Sequence, residues 1–428
     1  MIIMRNPTDE DILKLLERRM KAASEVEEIV KEIIKRVKNE GDRALEEYLK
    51  RFEKYPLSVR ELLVSEEEMA EVSVEKDFIE TVKIVIEDLK EFHQRQKETS
   101  FFFTTDGGSF LGEMVVPLES VGIYVPGGKV PYFSTLLMCA VPAIVAGVER
   151  IVVTTPPDEK GKVSPYILKV CEILGLKEIY KMGGAHAIAA LSYGTETVKP
   201  VDKIVGPGGV FVTLAKKLVY GDVGIDSIAG PSEITIITDG SVPLDFVAAD
   251  FLSQAEHDEN AMSVVITTSK EVFEKLPGVI EEHLQSLPEE RRKTAEISTS
   301  NFGIIVFTDD LKRAFEISNL IAPEHLEILV EKPFEVLSYV KNAGSVFLGR
   351  YTCESVGDYG AGPNHVLPTF RSARFSSGLR VSDFTKKIFV THFSEEDFKK
   401  KSVLYSRMAR WEGFEAHARA VDVRRESL

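Results

Sequence analysis

Two hydrophobic rhythms divide the chain. In the first, apolar residues recur at helical spacing: Val26, Ile29, Val30, Ile33, Ile34 and Val37 form one stripe, opened by Ser24 with Glu27 in the manner of a capping box and closed by Gly41. Thr8-Asp9-Glu10-Asp11 opens a shorter helix, and a long one is predicted over 75–96. Residues 101–118 read as a hairpin that turns near Asp106-Gly107-Gly108. From Val121 the second rhythm begins, with short apolar runs of strand length alternating with helical stretches. Strands are predicted over 121–125, 150–154, 177–181 and 203–205, with helices over 134–146, 164–174, 185–192 and 211–220. A second such series has strands over 234–238, 263–267, 303–308, 327–330 and 345–348. Its helices are predicted over 244–256, through a long stretch to 293, and over 309–321 and 333–341.

That alternation predicts an α/β fold with mostly parallel sheets covered on both faces. The expected architecture is two doubly wound, incomplete Rossmann-like domains with small helical pieces at both ends. The boundaries read as 1–22 for the N-terminal helical piece, 23–122 plus 233–380 for one α/β domain, 123–232 for the other, and 381–428 for a mainly helical tail. A chain of 428 residues, 44% hydrophobic and 28% charged, is long and apolar enough for such cores. A net charge of -15 argues against nucleic acid or an anionic membrane as partner. The chain has no apolar run long enough to span a membrane, and Met1-Ile2-Ile3-Met4-Arg5-Asn6-Pro7 lacks the apolar core of a signal peptide. Cys139, Cys171 and Cys353 make no CxxC, so the expected compartment is the reducing cytoplasm.

Five groups of residues carry candidate chemistry. Ala322-Pro323-Glu324-His325 sits at a helix–strand joint, where Pro323 disfavours helix at Ala322 and lets two adjacent proton-transfer side chains converge. Tyr124-Val125-Pro126-Gly127-Gly128, Met182-Gly183-Gly184 and Gly206-Pro207-Gly208-Gly209 follow strands and precede helices, where backbone amides can meet an anion. None completes G-x-G-x-x-G, and a plain tight βα turn explains each equally well. Gln254 and His257, one turn apart at the end of a helix, can reach one metal ion, although a polar helix end explains them too. Residues 354–365 read as an irregular loop in which Asp358 suits a metal and His365 a substrate. In the tail, Gly413 breaks a helix between Glu412 and His417. Cys353 has no basic neighbour to activate it, and His93, His283 and His392 take no role.

In this order the motifs resemble the histidinol dehydrogenase family, over nearly the whole chain. The resemblance rests on Tyr124-Val125-Pro126-Gly127-Gly128, Gly206-Pro207-Gly208, Ala229-Gly230-Pro231-Ser232-Glu233, Leu252-Ser253-Gln254-Ala255-Glu256-His257, Ala322-Pro323-Glu324-His325, Gly357-Asp358-Tyr359 and Gly362-Pro363-Asn364-His365. It implies a homodimer that uses zinc and two NAD in succession to oxidise L-histidinol, through the aldehyde, to L-histidine, the last step of histidine biosynthesis. It implies metal ligands Gln254, His257, Asp358 and His417, the last lent by the partner's tail, and proton acceptors Glu324 and His325. Substrate contacts would be Ser232, Gln254, His257, His325, Asp358, His365, Glu412 and His417. Cofactor contacts would be Tyr124 and two positions that depart from the family pattern: His186 stands where Gln is usual and Gly209 where Asn is usual. Zinc would then serve mainly to orient the substrate, with Glu324 activating water at the aldehyde stage. Two rivals are a zinc hydrolase, which lacks any H-E-x-x-H-like motif, and a nucleotide-binding regulator, which leaves the metal set idle.

Overall fold

The apolar runs read as continuous because both of their faces are buried: all six residues of Glu233–Thr238 and all six of Met262–Thr267 are buried. The structure, a computed structural model, describes residues 1–20, 26–127, 130–228 and 230–428. Ser24, Gly128, Ala229 and the expected boundary between 22 and 23 lie outside the described residues.

Strands are numbered here in chain order. Ile2–Arg5 (β1), Gly303–Phe307 (β11), Met262–Thr267 (β10), Glu233–Thr238 (β9), His325–Leu329 (β12) and Ser345–Leu348 (β13) form, in that spatial order, an all-parallel sheet. A second all-parallel sheet runs Glu178–Lys181 (β6), Arg150–Thr155 (β5), Ser120–Tyr124 (β4), Lys203–Val205 (β7) and Gly224–Ile225 (β8). Alternate residues feed separate cores on the two faces. Ile236, Val265 and Ile305 pack on one side of the first sheet, and Ile237, Val264 and Val306 on the other.

Both sheets wind alike. The chain steps from β4 through β5 to β6, then returns to lay β7 against the other side of β4. It does the same around β9, with β12 on the return side. Each winding leaves a switch point, between β4 and β7 and between β9 and β12, and such points open a crevice in α/β sheets.

The ends differ from the pattern reading. The N-terminal piece expected to be helical begins with β1, paired from Ile2↔Ile304 to Arg5↔Phe307; four residues are too few to show a period. The tail expected to be mainly helical contributes Thr385–His392 (β14), which pairs antiparallel along the whole of Phe110–Pro117 (β3), with Phe101–Thr104 (β2) beyond. Most of β14 is exposed in the single chain, so no apolar alternation marks it. The long stretch before 293 is two helices, Lys270–Ser286 and Glu289–Phe302, parted by Leu287-Pro288. The helix Glu27–Glu40 buries Val30, Ile33, Ile34 and Val37 as expected and stops at Gly41 (φ 58°), but Ile29 faces solvent. Among the described residues, no helix is long and apolar enough to cross a membrane.

Candidate active site

The Glu324-His325 joint is built by a helix stop. The helix Leu311–Ile321 ends on Ala322, whose φ of 51° and ψ of 62° are left-handed, a conformation that costs a non-glycine residue about 1 kcal/mol. Pro323 follows, and His325 opens β12 opposite Ile234 of β9. Glu324 and His325 are both almost wholly buried, with 7% and 4% of their surfaces exposed. Both turn to the same backbone residue. The Glu233 N–H donates to Glu324 Oε2 at 2.9 Å, and the Glu233 carbonyl lies 3.0 Å from His325 Nδ1.

The second contact settles the histidine's tautomer, because a carbonyl can only accept. Two carboxylate oxygens also approach Nδ1, from Glu324 and Glu354, but at 3.7 Å they lie outside hydrogen-bond range. The proton therefore sits on Nδ1 and leaves Nε2 bare. That atom is buried, has no hydrogen-bond partner among the described residues, and lies 3.9 Å from Asp358 Oδ1. Burial lowers the pKa of His325 to about 4, against the pull of Asp358, so the ring is a neutral acceptor at neutral pH. Glu324 is driven the other way. Burial, then the nearby Glu233 carboxylate, raises its pKa well above the usual carboxylate range. A carboxylate made more basic by burial and a neutral imidazole with a bare Nε2 stand side by side, both suited to accept a proton.

Across from them, His257, Glu354 and Asp358 bring one potential ligand atom each to within 4.8 Å of one another. Gln254 and His257 come from the end of the helix Leu244–Ala255. Residues 354–359, read from sequence as loop, form a short helix, Glu354–Tyr359, which puts Glu354 and Asp358 one turn apart on one face. The fully buried Gln254 amide donates from its nitrogen to Glu354 Oε2 (3.1 Å) and accepts from Ser232 Oγ (3.3 Å) through its oxygen. One imidazole and two carboxylates fit a divalent ion of the zinc type, and turning the amide over would add its oxygen. His365 closes the floor: its Nδ1 lies 3.0 Å from the Asp358 carbonyl and its Nε2 3.3 Å from Thr135 Oγ1. Burial also lowers the pKa of His365.

Four acids here carry no role in the sequence reading: Glu233, Asp250, Glu327 and Glu354. Ser253 Oγ donates to Glu354 Oε2 at 2.9 Å, and the Glu354 N–H donates to Glu327 Oε1 at 2.6 Å. Burial raises Glu354 to about 8 and raises Asp250 and Glu327 as well, the last two facing each other. A signal for two of them was present. Glu327 is a carboxylate in an otherwise apolar strand on the same face as His325, and Glu354 is i−4 to Asp358.

Glu412 and His417 are not part of this cluster. Both are exposed on the tail, where the helix Glu395–Trp411 stops and Glu415–Glu426 restarts across Gly413 (φ 83°).

On the other sheet, Tyr124 ends β4 at the switch point, and its hydroxyl oxygen accepts from the Gly184 N–H at 3.1 Å. Burial pushes that hydroxyl up to about 12. Gly206 (φ 109°) must be glycine, since a Cβ would lie 2.2 Å from the Tyr124 carbonyl oxygen. Gly209 has an ordinary φ of -64° and caps the helix Val210–Val219; a Cβ there would meet nothing within 4 Å. His186 is 2% exposed and is turned into the protein, with Nε2 3.1 Å from Glu53 Oε1. The candidate centre thus draws on the amino ends of β9 and β12 and the carboxyl ends of β4 and β7, joined where His365 meets Thr135.

Comparison with known proteins bears on this geometry. The family model for histidinol dehydrogenase matches residues 16–425. The histidinol dehydrogenase of Thermotoga maritima is 82% identical over 428 residues, 100% of both chains. That of Clostridium acetobutylicum is 48% identical over 410 residues, covering 96% of this chain and 95% of its own. The crystal structure of histidinol dehydrogenase from Elizabethkingia anophelis superposes with a TM-score of 0.93 at 37% identity, over 100% of this chain and 98% of that one. The chain is therefore an oxidoreductase belonging to the histidinol dehydrogenase family.

Proposed function

We propose that the enzyme oxidises L-histidinol to L-histidine through the aldehyde, in two steps of two electrons each, with zinc and NAD. The observation that carries this reading is the bare, buried Nε2 of His325, held with Glu324 by the backbone of Glu233 beside the His257, Glu354 and Asp358 cluster. When bound, zinc supplies a template that orients the substrate's nitrogens and NAD supplies the hydride acceptor. Gln254, His257 and Asp358 would hold the metal, with His417 from a second subunit. Ser232, His365 and the partner's Glu412 would orient the substrate. Tyr124 and Gly209, at the switch point of the second sheet, would line the cofactor crevice.

In the first step His325 Nε2 takes the hydroxyl proton as the carbon gives up a hydride. In the second, Glu324 takes a proton from the water that adds to the aldehyde. His325 then removes a hydroxyl proton from the hydrate as the second hydride departs. The balance is one alcohol, one water and two NAD consumed, with one carboxylate, two NADH and three protons formed. The exposed apolar surface supports pairing of two chains. Phe101, Phe103, Phe389, Trp411 and Phe414 all stand more than half exposed on the three-stranded sheet and the tail, more than single chains usually leave in contact with water.

With L-histidinol, zinc and NAD, absorbance should report about two NADH per histidinol consumed, as two successive hydride transfers require; no NADH from zinc-loaded protein sinks the reading. Glu324→Gln should keep the first oxidation but slow the second by about 10²–10⁴-fold, the worth of a general base. Assayed on the aldehyde alone, a wild-type rate would remove Glu324 from water activation. Asp358→Ala and His417→Ala should each be inactive, and their co-expression should restore about a quarter of wild-type activity, because in half of the dimers one of two sites is intact. No recovery would mean that each tail serves its own chain. Gly209→Asn should tighten NAD binding by about 2–10-fold, one added hydrogen bond, measured by calorimetry; unchanged affinity would place Gly209 away from the cofactor.

A further inference from the structure

The turn after β6 carries residues that neither sheet requires. The helix Asp42–Phe52 ends on Glu53, whose side chain is only 6% exposed. Glu53 Oε1 accepts from the Gly183 N–H at 2.7 Å and lies 3.1 Å from His186 Nε2. The next amide, Gly184 N–H, is held by the Tyr124 hydroxyl. His186 lies beside the Tyr48 and Phe52 rings, at 6.3 and 6.1 Å between centroids, with those two rings stacked on each other at 5.7 Å. The first two amides of the turn that opens the helix Gly184–Tyr193 are thus occupied by the protein itself, one of them by a buried carboxylate. A helix N-terminus attracts one anion there, and Glu53 is already that anion. A ligand phosphate at the same place would be repelled.

We propose that Glu53 and His186 form a clamp that positions the Gly183-Gly184 turn and, through the Gly184 amide, the Tyr124 hydroxyl, and that His186 makes no contact with the cofactor. Glu53 and His186 are then positioning residues. The clamp explains how His186 is accommodated in this chain: an imidazole with an unshared ring nitrogen finds a buried carboxylate and two aromatic neighbours. It rests on the reading of NAD as cofactor, and it relocates the cofactor's phosphates toward the β4–β7 crevice.

The test is a double-variant cycle on NAD affinity by calorimetry with the zinc-loaded enzyme, with thermal unfolding of each protein measured without NAD. Glu53→Gln and His186→Ala should each weaken NAD binding about tenfold, and the double variant should be no weaker than the worse single one, as residues in one network are non-additive. KM for NAD should rise by a larger factor than kcat falls, and His186→Gln, which keeps a donor for Glu53, should recover most of the affinity. If the His186→Ala loss repeats in full in the Glu53→Gln background, His186 touches the cofactor directly and the clamp is wrong. If the variants melt lower yet bind NAD as wild type does, the pair is merely structural and the proposal also fails. If the unsubstituted enzyme binds no NAD, the cofactor reading falls, and this proposal with it.

Discussion

The site depends on the backbone N–H and C=O of one buried residue. The amide of Glu233 holds Glu324 and its carbonyl holds His325, so the two groups cannot move independently. Each hydrogen bond is modest in net free energy, about 0.5–1.5 kcal/mol. Their weight here is geometric. The carbonyl assigns the proton of His325 to Nδ1 and leaves Nε2 as the acceptor, while the amide leaves Glu324 Oε1 to exchange a proton. Because β9 and β12 are neighbours in a parallel sheet with His325 in register with Ile234, this arrangement is an outcome of strand pairing.

Charge concentration is the cost of that placement. Asp250, Glu327, Glu354 and Glu324 are raised by burial, and they crowd behind a metal-type cluster with no buried arginine or lysine among their hydrogen-bond partners in the described residues. Buried carboxylates of this density persist when they share protons or face a cation. The Gln254 amide nitrogen gives Glu354 one neutral donor. The acids also tie elements together, since Glu354 meets Glu327 of β12 through its amide and Ser253 of a helix through its carboxylate.

The two sheets share a winding but offer opposite ends to the site. The β4–β7 switch point presents its carboxyl ends, as α/β sheets commonly do. In the other sheet the helices and loops that return from the strands bring Gln254, His257 and Asp358 to the amino ends of β9 and β12, where Glu324 and His325 stand. On the tail, Glu412 and His417 are exposed, as are the aromatic side chains of Trp411 and Phe414 beside them.

Much of this was legible in the residues alone. Apolar runs buried on both faces announce parallel strands, Pro323 announces the joint, and Gly206 and Gly413 announce turns, because each rests on local sterics or periodicity that a short stretch carries by itself. The strands β1 and β14 were not legible, since four residues show no period and a mostly exposed edge strand shows no buried face. Nor were Glu233 and Glu53. Both act through main-chain or side-chain contacts with residues about 90 and 130 positions away, and nothing local marks such a partner. His186 makes the same point from the other side: its place in the motif suggests a cofactor contact, and only the packing of a distant helix turns its ring inward. Sequence determined which residues are present and where the chain bends; tertiary structure decided which proton sits on which nitrogen, because that follows from a carbonyl brought up by strand pairing.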